Sequence, residues 1–278
     1  MAGLAFRARE IEELADVCFF RPLGILIARP AAALGLSPTQ ITIFSMFVGL
    51  LGGALLYHDR LALAGFGFLI AYSVLDSADG QLARLTGQAT ELGRVLDGVI
   101  GYVVYAAIYL ALTASMLQHE SSPAVIGLMF LAIISNIAHG QMYEYHRHHY
   151  ISVVLKGRVP QDDPARLNSP IIAWLYRGYL ACQRALNGAH AETMRAIASR
   201  APGGIVSDVD RDRYREYFYA PVRGWNFLGD NTRFYAIGVL ALIHRLDLFF
   251  AFMVLPMNCA FLVLWFWERR ADERFLRE

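Results

Sequence analysis

The stretch Asp76-Ser77-Ala78-Asp79-Gly80-Gln81-Leu82-Ala83-Arg84, followed after eight residues by Gly93-Arg94-Val95-Leu96-Asp97, decides how the rest of the chain is read. Its three carboxylates, arginines and glycines interrupt runs that are otherwise apolar enough to lie in a bilayer. On a helix, positions 76, 79, 80 and 83 fall at i, i+3, i+4 and i+7, so two carboxylates, a glycine and an alanine share one face. That face is acidic and nearly free of side-chain bulk. Gly93 and Asp97 are four apart on the next apolar helix, so they too point one way and can oppose the first set across a narrow gap. Carboxylate oxygens suit a hard divalent cation, and the missing side chains leave room for a phosphorylated ligand.

Outward from this segment, composition sets the class. With 278 residues, 56% of them hydrophobic, and a mean hydropathy of +0.38, the chain is too apolar for an ordinary soluble domain and is expected to be an all-α integral membrane protein. A formal net charge of +1 points to no nucleic-acid partner. Lys156 is the lone lysine. Cys18, Cys182 and Cys259 are few and scattered, and read as small buried hydrophobes rather than as a disulfide framework or a metal knuckle.

Six membrane helices are expected. Pro38 opens the first, over 39–57; the second runs from Leu61 into Asp76; the third and fourth cover 92–117 and 123–143, each near the roughly 20 residues a bilayer demands. The fifth begins near Trp225, with Asp230, Asn231 and Arg233 on its first turns, and the sixth covers 248–267. Residues 1–37 lack the single uninterrupted core of a secretory signal and read as an amphipathic juxtamembrane helix, with Phe19, Phe20, Leu23 and Ile27 in the headgroup region. The organisation is therefore 1–37 as a surface segment, 38–143 as helices 1–4 with the acidic motif, 144–225 as a long cytoplasmic insert between helices 4 and 5, and 226–278 as helices 5–6 with the C-terminal tail.

Within the insert, 171–201 has apolar residues at helical spacing and reads as one or two surface helices, whereas 208–219 alternates charges and aromatics and reads as a solvated cap. His146, His148 and His149 do not share one helix face, so they read as hydrated and interfacial; His139 reads as an interhelical polar group. Trp225, Trp265 and Trp267 read as interfacial belt residues. With the N-terminus inside, Arg84, the insert and Arg269-Arg270 all lie inside, and the 118–122 loop, which has no Arg or Lys, lies outside. The expected setting is a bacterial inner membrane with the acidic motif facing the cytoplasm.

The motif resembles the signature of the CDP-alcohol phosphotransferase superfamily: Asp-x-x-Asp-Gly-x-x-Ala-Arg, eight residues, then Gly-x-x-x-Asp-x-x-x-Asp. Asp76, Asp79, Gly80, Ala83, Arg84, Gly93 and Asp97 meet its fixed positions in register, and Gly101 stands where the pattern has its last aspartate. The resemblance implies transfer of a substituted phosphate from a CDP-linked donor, either CDP-diacylglycerol or a CDP-alcohol, to an alcohol acceptor with release of CMP, in lipid biosynthesis. It implies a homodimer among membrane lipids. Asp76, Asp79 and Asp97 would hold Mg2+, the expected ion for carboxylates facing a diphosphate, with Mn2+ as an alternative. Gly80, Ala83, Arg84 and Gly93 would receive the nucleotide. Because the family assigns proton acceptance to the residue replaced by Gly101, candidate acceptors beside Asp97 are Glu91, Asp230 and His139, or else the acceptor needs no dedicated base. The alternative expectation is a homologue that binds a CDP-lipid or nucleotide without turnover.

Overall fold

The structure, a computed structural model, describes residues 9–119, 122–160 and 187–277. Among these residues the regular structure is helical, apart from one isolated bridge between Arg158 and Ile205. In chain order the α-helices are α1 (Arg21–Ala33), α2 (Pro38–Leu55), α3 (Ala62–Thr86), α4 (Glu91–His119), α5 (Pro123–Tyr150), α6 (Gly188–Arg200), α7 (Asp208–Trp225), α8 (Asp230–Leu242), α9 (Phe249–Val254) and α10 (Pro256–Arg277). Among the described residues, five stretches are long and apolar enough to cross a membrane: Pro38–Leu55, Asp59–Thr86, Leu96–Gln118, Pro123–Leu155 and Leu246–Arg277. The chain divides into two compact units. A motif unit comprises Glu13–Ile134 and Asp230–Leu255; an insert unit comprises Met1–Glu12, Ser135–Gly229 and Pro256–Glu278.

In the motif unit, α2 starts on a capping box. The Ser37 hydroxyl accepts from the Gln40 amide at 3.3 Å and the Gln40 side chain accepts from the Ser37 amide at 2.8 Å, while Pro38 occupies the first turn, where no N–H is needed. α2 and α3 approach closely at Gly52 and Gly65: a Cβ on Gly65 would stand 2.8 Å from the Gly52 carbonyl oxygen. Small residues permit such backbone contact, which is how membrane helices pack without a hydrophobic driving force between them. α1 lays Gly24, Ala28 and Ala31 inward, and Gln81 of α3 donates to the Arg21 carbonyl at 3.0 Å. The outward side chains of α2, among them Phe44 and Phe47, are large, apolar and exposed, as lipid contact requires.

The fifth expected span takes a different form. The helix does not run on from Trp225; a 3-10 turn at Asn226–Leu228 and an extended Gly229 break it, and α8 restarts at Asp230. At 13 residues, about 20 Å, α8 is shorter than the membrane core and is not among the five stretches above. The sixth expected run is also broken, since Pro256 removes one helical N–H and divides α9 from α10.

In the insert unit, α7 corrects the reading of 208–219 as a solvated cap. Its charges face out, but Tyr214, Phe218 and Val222 are buried in one cluster with Tyr150, Val153 and Phe275, and Trp225, further along the same face, is buried against His146 and Phe261. His146 and His149 are buried rather than hydrated. His139 is, as expected, an interhelical polar group: its Nε2 lies 2.9 Å from Asn258 Oδ1, and Asn258 in turn donates to Ser135. Of the helices expected over 171–201, α6 is present; residues 161–186, with Cys182, lie outside the described residues. Cys18 and Cys259 are exposed free thiols rather than buried hydrophobes.

Candidate functional site

α3 stays helical through the whole of Asp76–Arg84, which places the acidic face the spacing predicts. It ends at Gly87, whose φ of 70° lets the chain turn back, with the Gln88 amide on the Ala83 carbonyl at 3.0 Å. Three residues later α4 starts. The Thr90 hydroxyl accepts from the Gly93 amide at 3.0 Å and so fixes the first turn, which carries Asp97 one turn further on.

This tight turn brings the acids together. Asp76, Asp79 and Asp97 offer carboxylate oxygens that all lie within 4.8 Å of one another. Asp79, Gly80, Ala83, Arg84, Gly93 and Asp97 line one cavity of about 390 Å³, together with Pro38, Thr39, Thr42 and Thr90. Asp76 completes the carboxylate cluster without lining that cavity. The Arg84 guanidinium folds back over Gly80, 3.7 Å from where a Cβ would stand.

Thr42, on α2, is a member that sequence reasoning missed. Its hydroxyl lies 2.9 Å from the Pro38 carbonyl and also within hydrogen-bond reach of Asp79. With a single proton, it can serve only one of the two at a time. Ser37-Pro38 marks a helix start and Thr42 is one turn beyond Pro38, but no local pattern places it beside Asp79.

Of the other candidate proton acceptors, neither Asp230 nor His139 lines that cavity. Asp230 opens α8, accepts from the Tyr105 hydroxyl at 2.8 Å and pairs with Arg233; it does not line the cavity. Glu91 is the first residue of α4, but its side chain lies outside the described residues. His139 belongs to the insert unit.

Carboxylates this close repel unless a proton or cation lies among them. Among the described residues, Oδ2 of Asp79 and Oδ1 of Asp97 are buried and make no hydrogen bond. Hard anionic oxygens converging with unspent lone pairs fit a divalent metal ion of the magnesium or manganese kind. Gly80 and Gly93 leave the adjoining wall open for a bulky anionic ligand, with Arg84 as its cation.

Comparison with known proteins agrees with this chemistry. The model of the CDP-alcohol phosphatidyltransferase family matches residues 36–160, which include every residue of the carboxylate cluster. An uncharacterized protein of Aquifex aeolicus is 37% identical over 100 residues, 36% of this chain and 50% of that protein. An archaetidylinositol phosphate synthase of Pyrococcus horikoshii is 37% identical over 82 residues, 30% of this chain and 43% of that enzyme. The chain thus spans half or less of the length of these relatives. No solved structure matches it.

Proposed function

We propose that this chain, which carries a CDP-alcohol phosphatidyltransferase domain over residues 36–160, is a membrane phosphotransferase of phospholipid synthesis that moves a substituted phosphate from a CDP-linked donor to an alcohol and releases CMP. The observation that carries the proposal is the convergence of Asp76, Asp79 and Asp97 beside a cavity walled by Gly80, Ala83, Arg84 and Gly93. Bound by those three carboxylates, Mg2+ or Mn2+ would neutralise the donor diphosphate and the charge that develops on the leaving CMP.

The protein's own groups do the rest. Arg84 pairs with a phosphate oxygen; its planar fork suits that geometry better than a lysine would. Gly80 and Ala83 let the cytidine lie against the α3 backbone. Thr42 steadies Asp79 from the neighbouring helix. The acceptor hydroxyl attacks the phosphorus distal to cytidine, the bond from that phosphorus to the bridging oxygen breaks, and CMP leaves with the electron pair. The acceptor's proton passes to a carboxylate at the same site. Asp97, which lines the cavity, is the first choice to take it. Asp230, tied to Tyr105 and Arg233, is the second choice, and Glu91 the third.

The arginine distribution supports a site on the cytoplasmic side, where nucleotide conjugates and magnesium are available. The name of the Pyrococcus relative makes an inositol phosphate the first acceptor to try. The test is CMP release by the full chain in lipid nanodiscs with CDP-diacylglycerol, Mg2+ and inositol phosphate, glycerol phosphate or serine as acceptor. Activity that Asp76→Asn and Asp79→Asn each abolish is the expected result. Magnesium-dependent protection by CDP with no CMP released from any acceptor would identify a binding protein instead, and full activity in Asp79→Asn would remove the site assignment.

A further inference from the structure

A second constellation lies in the insert unit and takes no part in the chemistry above. His146 near the end of α5, His190 at the start of α6, and Glu268 and Asp272, one turn apart on α10, converge from three helices. Each is no more than 2% exposed. His146 Nδ1 stands 3.1 Å from Glu268 Oε1, and His190 Nδ1 stands 3.8 Å from that same oxygen and 2.8 Å from Asp272 Oδ1. Two donors sharing an ion at about 2.0–2.1 Å sit about 2.9–3.4 Å apart for octahedral or tetrahedral angles. The His146–Glu268 separation falls inside that range, and His146, His190 and Glu268 offer ligand atoms that all lie within 4.8 Å of one another.

Hydrogen bonds from outside the cluster aim its members inward. The Trp225 indole N–H donates to Glu268 Oε2 at 3.1 Å, which leaves Oε1 toward the histidines, and the His146 ring stacks on the same indole. The Thr193 hydroxyl donates to Asp272 at 2.7 Å, and the Tyr214 hydroxyl lies 3.0 Å from His190 Nε2. His190 Nδ1 also lies in hydrogen-bond geometry with Asp272 Oδ1, a contact between two acceptors unless a proton or a cation lies between them; a tautomer with the proton on Nε2, toward Tyr214, offers Nδ1 to a metal. Most telling, among the described residues both ring nitrogens of His146 and Oε1 of Glu268 are buried and make no aligned hydrogen bond, although Nδ1 and Oε1 stand 3.1 Å apart as an ion-pair contact. Burial of unpaired polar atoms is costly, and a cation would satisfy them together. All four side chains also line one cavity of about 450 Å³, so a bound ion would face open space on one side.

We propose that His146, His190 and Glu268 form a binding site for a divalent transition-metal ion, with zinc as the occupant and Asp272 as the neighbouring carboxylate that orients His190. Two imidazoles and a carboxylate suit zinc better than magnesium, and zinc makes no geometric demand that the unequal spacings would violate. Glu268 and the neighbouring Asp272 together neutralise its charge.

The site belongs to the insert unit and the carboxylate cluster to the motif unit, and its test does not use CMP release. Full-length protein in detergent is stripped with a chelator, titrated with Zn2+, dialysed and assayed for bound metal; a parallel sample takes Co2+, whose visible absorption reports imidazole and carboxylate ligation. One ion per chain is expected, retained in Asp79→Asn. Tyr214→Phe should weaken binding about 10–100-fold through the tautomer of His190, and His146→Ala and Glu268→Gln should each weaken it at least that much. The cobalt spectrum of the unmodified protein tests the site even if a variant fails to fold. No retained zinc and no cobalt band in that protein would overturn the proposal and leave a hydrogen-bonded His190–Asp272 pair. Zinc retained undiminished in both His146→Ala and Glu268→Gln would overturn it too.

Discussion

Gly101 lies one helical turn beyond Asp97 on α4, and a Cβ built there would meet the Tyr72 hydroxyl at 3.9 Å, an ordinary contact. Asp76, Asp97, Asp79 and Asp230 all act electrostatically on that hydroxyl, so an added carboxylate would join the acidic group without moving backbone. If proton removal from the acceptor limits the reaction, Gly101→Asp should raise CMP release about 10-fold or more, within what a positioned base contributes. Steady-state rates with donor held saturating check it; a fall instead would mean that glycine makes room for the acceptor. Thr42→Val keeps the shape of the side chain but removes the hydroxyl beside Asp79, and should weaken magnesium activation about 10–100-fold, measured as the concentration giving half-maximal rate. The carboxylates could be found from sequence because all the information lies in one helical spacing, Asp76 to Ala83, and one short turn to Gly93 and Asp97. Thr42 could not, since its place beside Asp79 depends on how α2 is rotated against α3, and no local pattern encodes that rotation.

That rotation belongs to the helices, where Gly52 and Gly65 set it. Gly65→Val would drive a branched side chain into the Gly52 carbonyl, 2.8 Å from the new Cβ, and should cost about 1–3 kcal/mol. A lowered thermal midpoint in detergent, accompanied by weaker magnesium activation, is the expected pair of results, because the same crossing holds Thr42 against Asp79. The apolar runs of α2, α3, α4 and α5 were readable because a spanning helix needs one long uncharged window. α7 was not, because its first turns carry enough Asp and Arg to hide the stripe Tyr214, Phe218, Val222, Trp225. A count of charges outvoted a spacing of four, although the spacing was the physical signal. The histidine cluster failed for another reason: His146, His190 and Glu268 are far apart in the chain, and only tertiary packing joins them. Pro256, by contrast, lay in plain view inside an apolar run and divides it for the reason proline always does.

Over the whole chain the architecture turns on the number of crossings, and charge and packing bear on it together. Five stretches are long enough to span, and with the N-terminus inside an odd number would leave Arg269 and Arg270 on the outer side, against the inward preference of basic residues. A sixth crossing by α8 would restore the balance. Its 13 residues reach about 20 Å against roughly 30 Å of hydrocarbon, a mismatch that bilayer thinning or flanking turns can absorb. The two faces of α8 fit a crossing. Asn231, Arg233, Phe234, Ile237 and Gly238 are buried, with Gly238 against the Phe66 ring, while Val239, Leu242 and Ile243 present apolar surface outward. The buried Arg233 is paired with Asp230, so it adds no bare charge to the lipid face. We therefore expect both ends of the chain and the insert on the cytoplasmic side. In a background with Cys18, Cys182 and Cys259 replaced by serine, Ser122→Cys should react with an impermeant maleimide in intact cells, whereas Ser199→Cys and Arg274→Cys should react only after the membrane is opened. Labelling of Arg274→Cys in intact cells while Ser199→Cys stays protected would leave α8 on one side of the bilayer and put the two halves of the arginine argument in conflict.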